Sequence, residues 1–365
     1  MSTELSPVKI AFADHRQDLD AWAASLGISR EAVEIYARAE VFDLHIDTFI
    51  WKRILGYDLG KRHGHGPFGA RFFHQVDLPR LREARVGGGM WSITTNPLRS
   101  ARGRAKTFVT NVNRLRAELG RYPDDVAVVR NLRELRAARA RDLHAAMIVI
   151  QGGNALDHAE TTLDLIPDDL VVLVTLVHLS TSSLGRTSSP AARGPDTGLT
   201  DKGKDYVRQL DARNIFVDLA HVSKKGFWDA VAVHDRTKPL CDSHTGVEGV
   251  TPHWRNLDDA QIKAIADSGG VVGVIYQSTF LGGGVLGCKA ERIVDHLAHI
   301  IQVAGEDVPA LGSDWDGMIV PPRDMPTCLE LPRLVQLMLE RGWKADRIGK
   351  ILGANFFASF GRLRP

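Results

Sequence analysis

The chain has 365 residues, room at roughly 150 residues each for about two or three average domains, or for one large α/β barrel with insertions. Its 46 Lys+Arg against 44 Asp+Glu leave a formal charge of +2, so no whole-protein field marks a nucleic-acid or anionic-membrane partner. A hydrophobic fraction of 44% with 25% charged residues excludes disorder as the main state.

The first twenty residues carry early acids and no apolar core of signal-peptide length. No run of about 18 apolar residues occurs. Cys241, Cys288 and Cys328 are too few and too scattered for a disulfide framework. These features lead us to expect a cytoplasmic protein in a reducing compartment, with no membrane span. Residues 15–40 read as helical and polar. We expect an N-terminal helical extension over 1–40, followed by a single domain over 41–365.

From there, short β-branched or apolar runs recur: Val41–Asp47, Val86–Thr95, Ala145–Gly152, Val171–Leu179, Ile215–His221, Pro239–His244, Gly270–Tyr276 and Val308–Asp314. Several are apolar throughout, as in VVLVTLV, which suits strands buried on both faces of a parallel sheet. Between them lie segments of helical period: Lys106–Leu119, Leu132–Ala140, Asp201–Arg213 after a capping Thr200, Leu257–Ser268, Arg292–Ala304 and Leu331–Arg341. Eight alternations predict a (β/α)8 TIM barrel over an open doubly wound sheet, and no glycine fingerprint of the dinucleotide-binding kind opens a helix after the first strand. Two long irregular stretches, Trp51–Gln75 and Ser180–Thr200, follow predicted strands. Both are therefore expected at the catalytic face.

Polar residues collect at the ends of these strands. In DLHIDTF, alternation puts Asp43, His45 and Asp47 on one face. Other strands end at Gln151, His178, His221, His244 and Asp314. A lone buried histidine is more often a packing residue. Six strands placing such side chains at one barrel mouth point to a divalent ion, most often zinc. His221 and His244, on consecutive strands, can share one ion, and His45 with Asp47 can hold a second. His63 and His65 sit among glycines and are not expected as ligands. Asp43 and Asp316 are expected to support the site, and Cys241 to be a small buried strand residue.

The order of DLHIDTF, VDLPRLREARVGGGMWSI, LVHLS, GLTDKGKDYVRQLDARNIFVDLAHVS, SHTGVEGVTPHWRNLDD, GGVVGVIY, HLAHIIQVAG, LGSDWDG and LGANFF resembles the membrane (renal) dipeptidase-like metallopeptidases of the amidohydrolase superfamily, from about Val41 to Phe360. The resemblance implies a barrel holding two zinc ions that hydrolyses dipeptides, including some with a C-terminal D-residue. It implies His45 and Asp47 on one metal and His221 and His244 on the other. His178 would bind the scissile carbonyl oxygen and its oxyanion. Asp314 would take the proton of the attacking water and deliver it to the leaving amine. Arg255 would clamp the free carboxylate, with Asn256 and Tyr276 as further substrate contacts. Family members often form dimers, so a homodimer is expected. One departure stands out: where the family carries a metal-bridging glutamate, this chain has Gln151, in IQGGNAL. A glutamine offers one neutral carbonyl oxygen in place of two anionic ones, which should weaken at least one metal site. The expected function is therefore a metal-dependent dipeptidase-like hydrolase. The alternatives are an impaired or repurposed barrel binding a small carboxylated ligand, or an amide hydrolase of a secondary metabolite with its pocket formed by the Ser180–Thr200 loop, Arg186 and Arg193.

Overall fold

The computed structural model describes residues 7–96, 98–158 and 162–365; residues 1–6 of the expected extension lie outside them. Nine strands form: β1 Phe42–Ile46, β2 Gly88–Thr94, β3 Val126–Val128, β4 His144–Gln151, β5 Val171–Thr175, β6 Phe216–Asp218, β7 Cys241–Thr245, β8 Val271–Val274 and β9 Pro309–Leu311. All pairings are parallel. The order β2-β1-β9-β8-β7-β6-β5-β4 is closed by β2 pairing with β4. This is a (β/α)8 barrel, and the eight predicted strands are its eight barrel strands. The ninth, β3, is an addition. It pairs with the first residues of β4, on the edge that β5 takes from Ile148 onward. Three residues are too few to show a period, so no local pattern marked it.

The helices form where short polar residues can satisfy their free N–H groups. Ser100, Asn131, Thr200, Ser223 and Asp258 each accept a bond from the backbone N–H three residues on. The six predicted helices are present at Ala101–Leu119, Leu132–Ala140, Asp201–Ala212, Asp259–Asp267, Glu291–Ala304 and Pro332–Glu340. The polar N-terminal stretch is split into Leu19–Leu26 and Arg30–Arg38 by Gly27, which takes a left-handed φ of 63°, and by Ser29, which caps the second helix. Trp22, Val33 and Tyr36 of these helices are buried in the main core. The Tyr36 hydroxyl donates to Ala84 O at 2.6 Å.

The C-terminal helix Asn355–Leu363 seals one end of the barrel. Its Phe356 ring lies 4.6 Å from Phe42 and 6.3 Å from Phe216. Those two residues open β1 and β6, strands on opposite sides of the ring. One side chain reaching both must span the N-terminal mouth. The polar mouth at the other end is thereby left as the accessible one. Among the described residues, no helix is long and apolar enough to cross a membrane.

Candidate metal centre

The C-terminal mouth is built where strand regularity breaks. The β1 register slips between Asp43 and Ile46, and the β7 register between Asp242 and Thr245. Such bulges re-aim side chains, here those of His45 and His244. Just beyond β6 and β9, His221 and Asp314 adopt left-handed φ values of 64° and 61°. That conformation is costly for residues with a Cβ and persists where surrounding structure enforces it, commonly at functional sites. The Ser180–Thr200 loop supplies part of the enforcement, since Ser188 N donates to His221 O at 2.7 Å.

The side chains converge. His45 Nε2 lies 3.6 Å from Asp47 Oδ1 and 3.8 Å from Asp314 Oδ1. The His45 and His244 rings are 3.9 Å apart. His221 Nε2 faces His244 Nε2 at 2.9 Å and Gln151 Nε2 at 3.5 Å. Ligand atoms held about 2.0–2.1 Å from one tetrahedral ion are roughly 3.3 Å from each other, so these separations are what shared coordination requires. His45, His244 and Asp314 can each bring one ligand atom within 4.8 Å of the others. Both ring nitrogens of His45, and Nδ1 of His221, are buried without a hydrogen-bond partner. Such orphaned nitrogens are expensive unless something else satisfies them. The donor set, nitrogen with carboxylate and amide oxygen, fits a divalent ion.

Electrostatics point the same way. Burial pushes the pKa values of His221 and His244 well below that of a free imidazole. Their lone pairs are therefore free at neutral pH. Burial also opposes charge on His45, but Asp47, Asp314 and Asp218 outweigh it and raise the group to about 8. Asp47 is buried too, yet His45 holds its carboxyl below the usual range. Asp314 goes the other way: burial raises its carboxyl above the usual range, against the pull of His45.

Further polar residues orient the clustered side chains. Asp218, at the end of β6, accepts bonds from Thr175 Oγ1 at 2.6 Å and Ser243 Oγ at 2.7 Å. Ser243 Oγ in turn lies 2.7 Å from His244 Nδ1. A carboxylate only accepts, so the serine proton points to Asp218 and its oxygen accepts the imidazole N–H. The His244 Nε2 lone pair is thereby turned into the cluster. Thr94, at the end of β2, reaches Asp47 Oδ1 at 3.2 Å and Gln151 Oε1 at 3.3 Å.

Residues 29–362 match the family model described as membrane dipeptidase, peptidase family M19. The chain belongs to that family. A Klebsiella pneumoniae protein of the pqqA 5′ region is 38% identical over 167 residues, a stretch covering 44% of this chain and 60% of that relative. Among solved structures, the probable dipeptidase PvdM from Pseudomonas aeruginosa has a TM-score of 0.80 at 17% identity, over 92% of this chain and 98% of its own. A metallo peptidase from Rhodobacter sphaeroides, liganded with a phosphinate mimic of L-Ala-D-Ala, has a TM-score of 0.77 at 24% identity, over 89% and 99%. Both share the fold with this M19 chain.

The remaining sequence candidates fall at different distances from the cluster. His178 is half-buried at the mouth, edge-on to His221 at 4.7 Å, and burial lowers it to about 4. It is neutral at pH 7. Arg255 is buried, donates to His244 O at 2.6 Å, and is drawn on by Asp242, Asp218 and Asp314. Asn256 spends its amide on Thr251 O and Phe280 O, at 2.8 and 2.9 Å. Tyr276 is fully buried edge-on to Trp315, and the groups acting on it are Asp43 and Tyr36. The Tyr276 hydroxyl is buried without a hydrogen-bond partner.

Asp43 does not share the His45–Asp47 contact, since the β1 bulge interrupts the alternation. Its carboxylate ties β1 to β9 by accepting from His45 N and Ser313 N, at 2.9 and 3.1 Å. Asp316 anchors the Trp51–Gln75 stretch through Thr48 Oγ1 at 2.6 Å and Gln75 N at 2.8 Å. His63 stacks on Tyr57 at 4.0 Å, and His65 is exposed. Arg186 braces its own loop by donating to Ala192 O, Arg193 O and Gly194 O. That leaves it committed, which weakens the pocket expected there. Sequence reasoning missed Thr94, Asp218 and Ser243. Ser243 adjoins His244, and Asp218 precedes His221 by three residues, so adjacency to the histidines was the available signal.

Proposed function

We propose that the chain is a metal-dependent dipeptidase, hydrolysing the amide of a dipeptide or similar small carboxylated amide. The observation that carries this reading is the convergence of His45, Asp47, His221, His244 and Asp314 on one buried point at the C-terminal mouth. We take His45, Asp47, His221 and His244 as the metal-holding residues, with Gln151 between the pairs. Zinc suits the nitrogen-rich set best. When bound, a divalent ion supplies Lewis acidity toward the carbonyl oxygen and lowers the pKa of water.

The chain's own residues do the rest. Asp314, whose carboxyl holds its proton more tightly than usual, accepts the proton of the attacking water and passes it to the leaving amine. His178, neutral at pH 7, donates an N–H to the carbonyl oxygen as negative charge builds there. Arg255 holds the free carboxylate of the substrate with two parallel donors. Residues 41–365 form the catalytic unit, with the described residues of the extension, 7–40, as a buttress. The three cysteines are buried and unbridged, which fits a reducing compartment such as the cytoplasm.

Gln151 favours a second reading, an impaired enzyme with one weakly held ion. Its Nε2 faces His221 while Oε1 takes the Thr94 hydroxyl. Presenting oxygen to His221 means turning the amide, with Thr94 then accepting from Nε2 and giving its proton to Asp47, and the ligand gained is still a single neutral oxygen. Metal content by mass spectrometry, with a dipeptide panel at saturating zinc, separates the readings in wild type and Gln151→Glu. Cleavage by wild type supports the dipeptidase. Cleavage by Gln151→Glu alone supports the impaired barrel. No cleavage by either, with the variant folded and metal-loaded, refutes the hydrolase.

A further inference from the structure

A cavity of about 450 Å³ opens beside the metal cluster, between the helix Phe49–Leu55 after β1 and the helix Ala101–Leu119 after β2. Four arginines line it: Arg53, Arg99, Arg104 and Arg114. Arg104 is paired, donating to both oxygens of Asp157 at 2.9 and 3.1 Å. Arg53, Arg99 and Arg114 have no carboxylate partner among the described residues. The Arg53 Nε is buried without a hydrogen bond, and its terminal nitrogen reaches Thr94 O only at 3.5 Å. Burial works most against the Arg53 charge, Asp47 supports it, and the neighbouring Arg99 opposes it. Arg53 is half-buried in the wall and Arg99 and Arg114 are exposed at the rim, so an anion entering the cavity meets guanidinium groups from several sides, and their planar forks match a carboxylate. Ile93 and Phe108 supply apolar wall for the methylenes of a side chain.

The cavity's place in the barrel says which part of a substrate would reach it. Thr94 lines it and also touches Asp47 and Gln151, so it borders the metal cluster. Arg255 follows β7, which stands four places from β2 in the closed ring of eight, diametrically across. A dipeptide with its free carboxylate at Arg255 and its amide over the cluster therefore points its amino-terminal residue toward β2.

We propose that this cavity binds the carboxylate side chain of the residue on the acyl side of the scissile amide, making dipeptides that begin with Glu or Asp the preferred substrate class. This rests on the dipeptidase reading above. The test is kcat/KM for Glu-Ala against Gln-Ala with the zinc-loaded enzyme, because these peptides differ only in the charge the arginines would meet. We expect a preference of about tenfold or more, the usual worth of a charge-assisted pair. In Arg99→Ala or Arg114→Ala, checked for an unchanged melting curve, the ratio should fall severalfold. Glutarate, a dianion of matching length, is titrated calorimetrically into the metal-free protein as an independent arm. Binding should be saturable, should weaken with added salt, and should be lost in Arg99→Ala. A wild-type ratio near one with both peptides cleaved overturns the proposal and leaves the hydrolase standing. Failure of both wild type and metal-loaded Gln151→Glu to cleave either peptide removes the hydrolase reading. Glutarate binding abolished by Arg99→Ala then still supports the carboxylate site, and no binding overturns it.

Discussion

Ser243→Ala isolates the orientation of one proposed metal ligand, His244. Ser243 is fully buried, and its hydroxyl joins the Asp218 carboxylate to His244 Nδ1 through two contacts of 2.7 Å. Alanine removes both. The lost bond to a charged acceptor is worth about 1.5–3 kcal/mol, and the stranded imidazole N–H costs about 1–3 kcal/mol more. Asp218 keeps its bonds from Thr175 Oγ1, Ser243 N and Ala220 N, so it stays in place. His244 can recover part of the loss by moving its proton to Nε2, but that consumes the lone pair aimed at the cluster. We therefore expect the metal-free variant to lose about 2–4 kcal/mol of stability and zinc affinity to fall about 10–100-fold. Urea unfolding of the metal-free protein and zinc competition with a chromophoric chelator measure the two separately. Thr175→Val removes another bond to Asp218 without touching His244, and should lower stability with a much smaller change in affinity. Zinc affinity within twofold of wild type in Ser243→Ala, with Thr175→Val behaving alike, refutes the orienting role.

The pH dependence of metal-free stability has a sign set by the same burial. Asp43 and Asp242 are raised to about 7, His45 to about 8, and Asp314 is raised as well. Each binds its proton more tightly folded than unfolded, so its contribution is lost as pH rises through the folded value. The depressed histidines, His178, His221 and His244, are neutral in both states above about pH 6.5 and add nothing there. Urea unfolding of the metal-free protein should show stability falling from about pH 6.5 to 8.5, by up to about 1.4 kcal/mol per unit for each proton released; a flat or rising profile contradicts this. Phe356→Ala empties the plug between Phe42 and Phe216 and should cost about 3–5 kcal/mol of stability. Zinc binding at the far mouth should change by less than about twofold, and a larger change by the same chelator competition would mean that the two ends are coupled.

Much of the barrel was legible from local pattern. Runs such as VVLVTLV can be satisfied only by strands covered on both faces, and their spacing left room for a helix between each. The strand-end residues His45, Asp47, His221 and His244 were visible because the C-terminal ends of barrel strands all face one mouth. What escaped were features without a periodic signature. The strand β3 is three residues long. The helix Lys224–Val233 reads KKGFWDAVAV, with apolar residues on too many sides to show one stripe.

By itself, the sequence determined the eight barrel strands and most of the helices, and it singled out the candidate metal-binding side chains, because apolar period and residue type are local properties. Barrel closure decided the rest. Only the closed ring brings His221 within 2.9 Å of His244 and His45 within 3.8 Å of Asp314. Only its bulges and left-handed turns aim those atoms at one point. Whether a group stays charged also belongs to the folded state: Asp47 and Asp314 are both aspartates beside His45, shifted in opposite directions. Burial and neighbours set that difference, and neither is written in the order of residues along the chain.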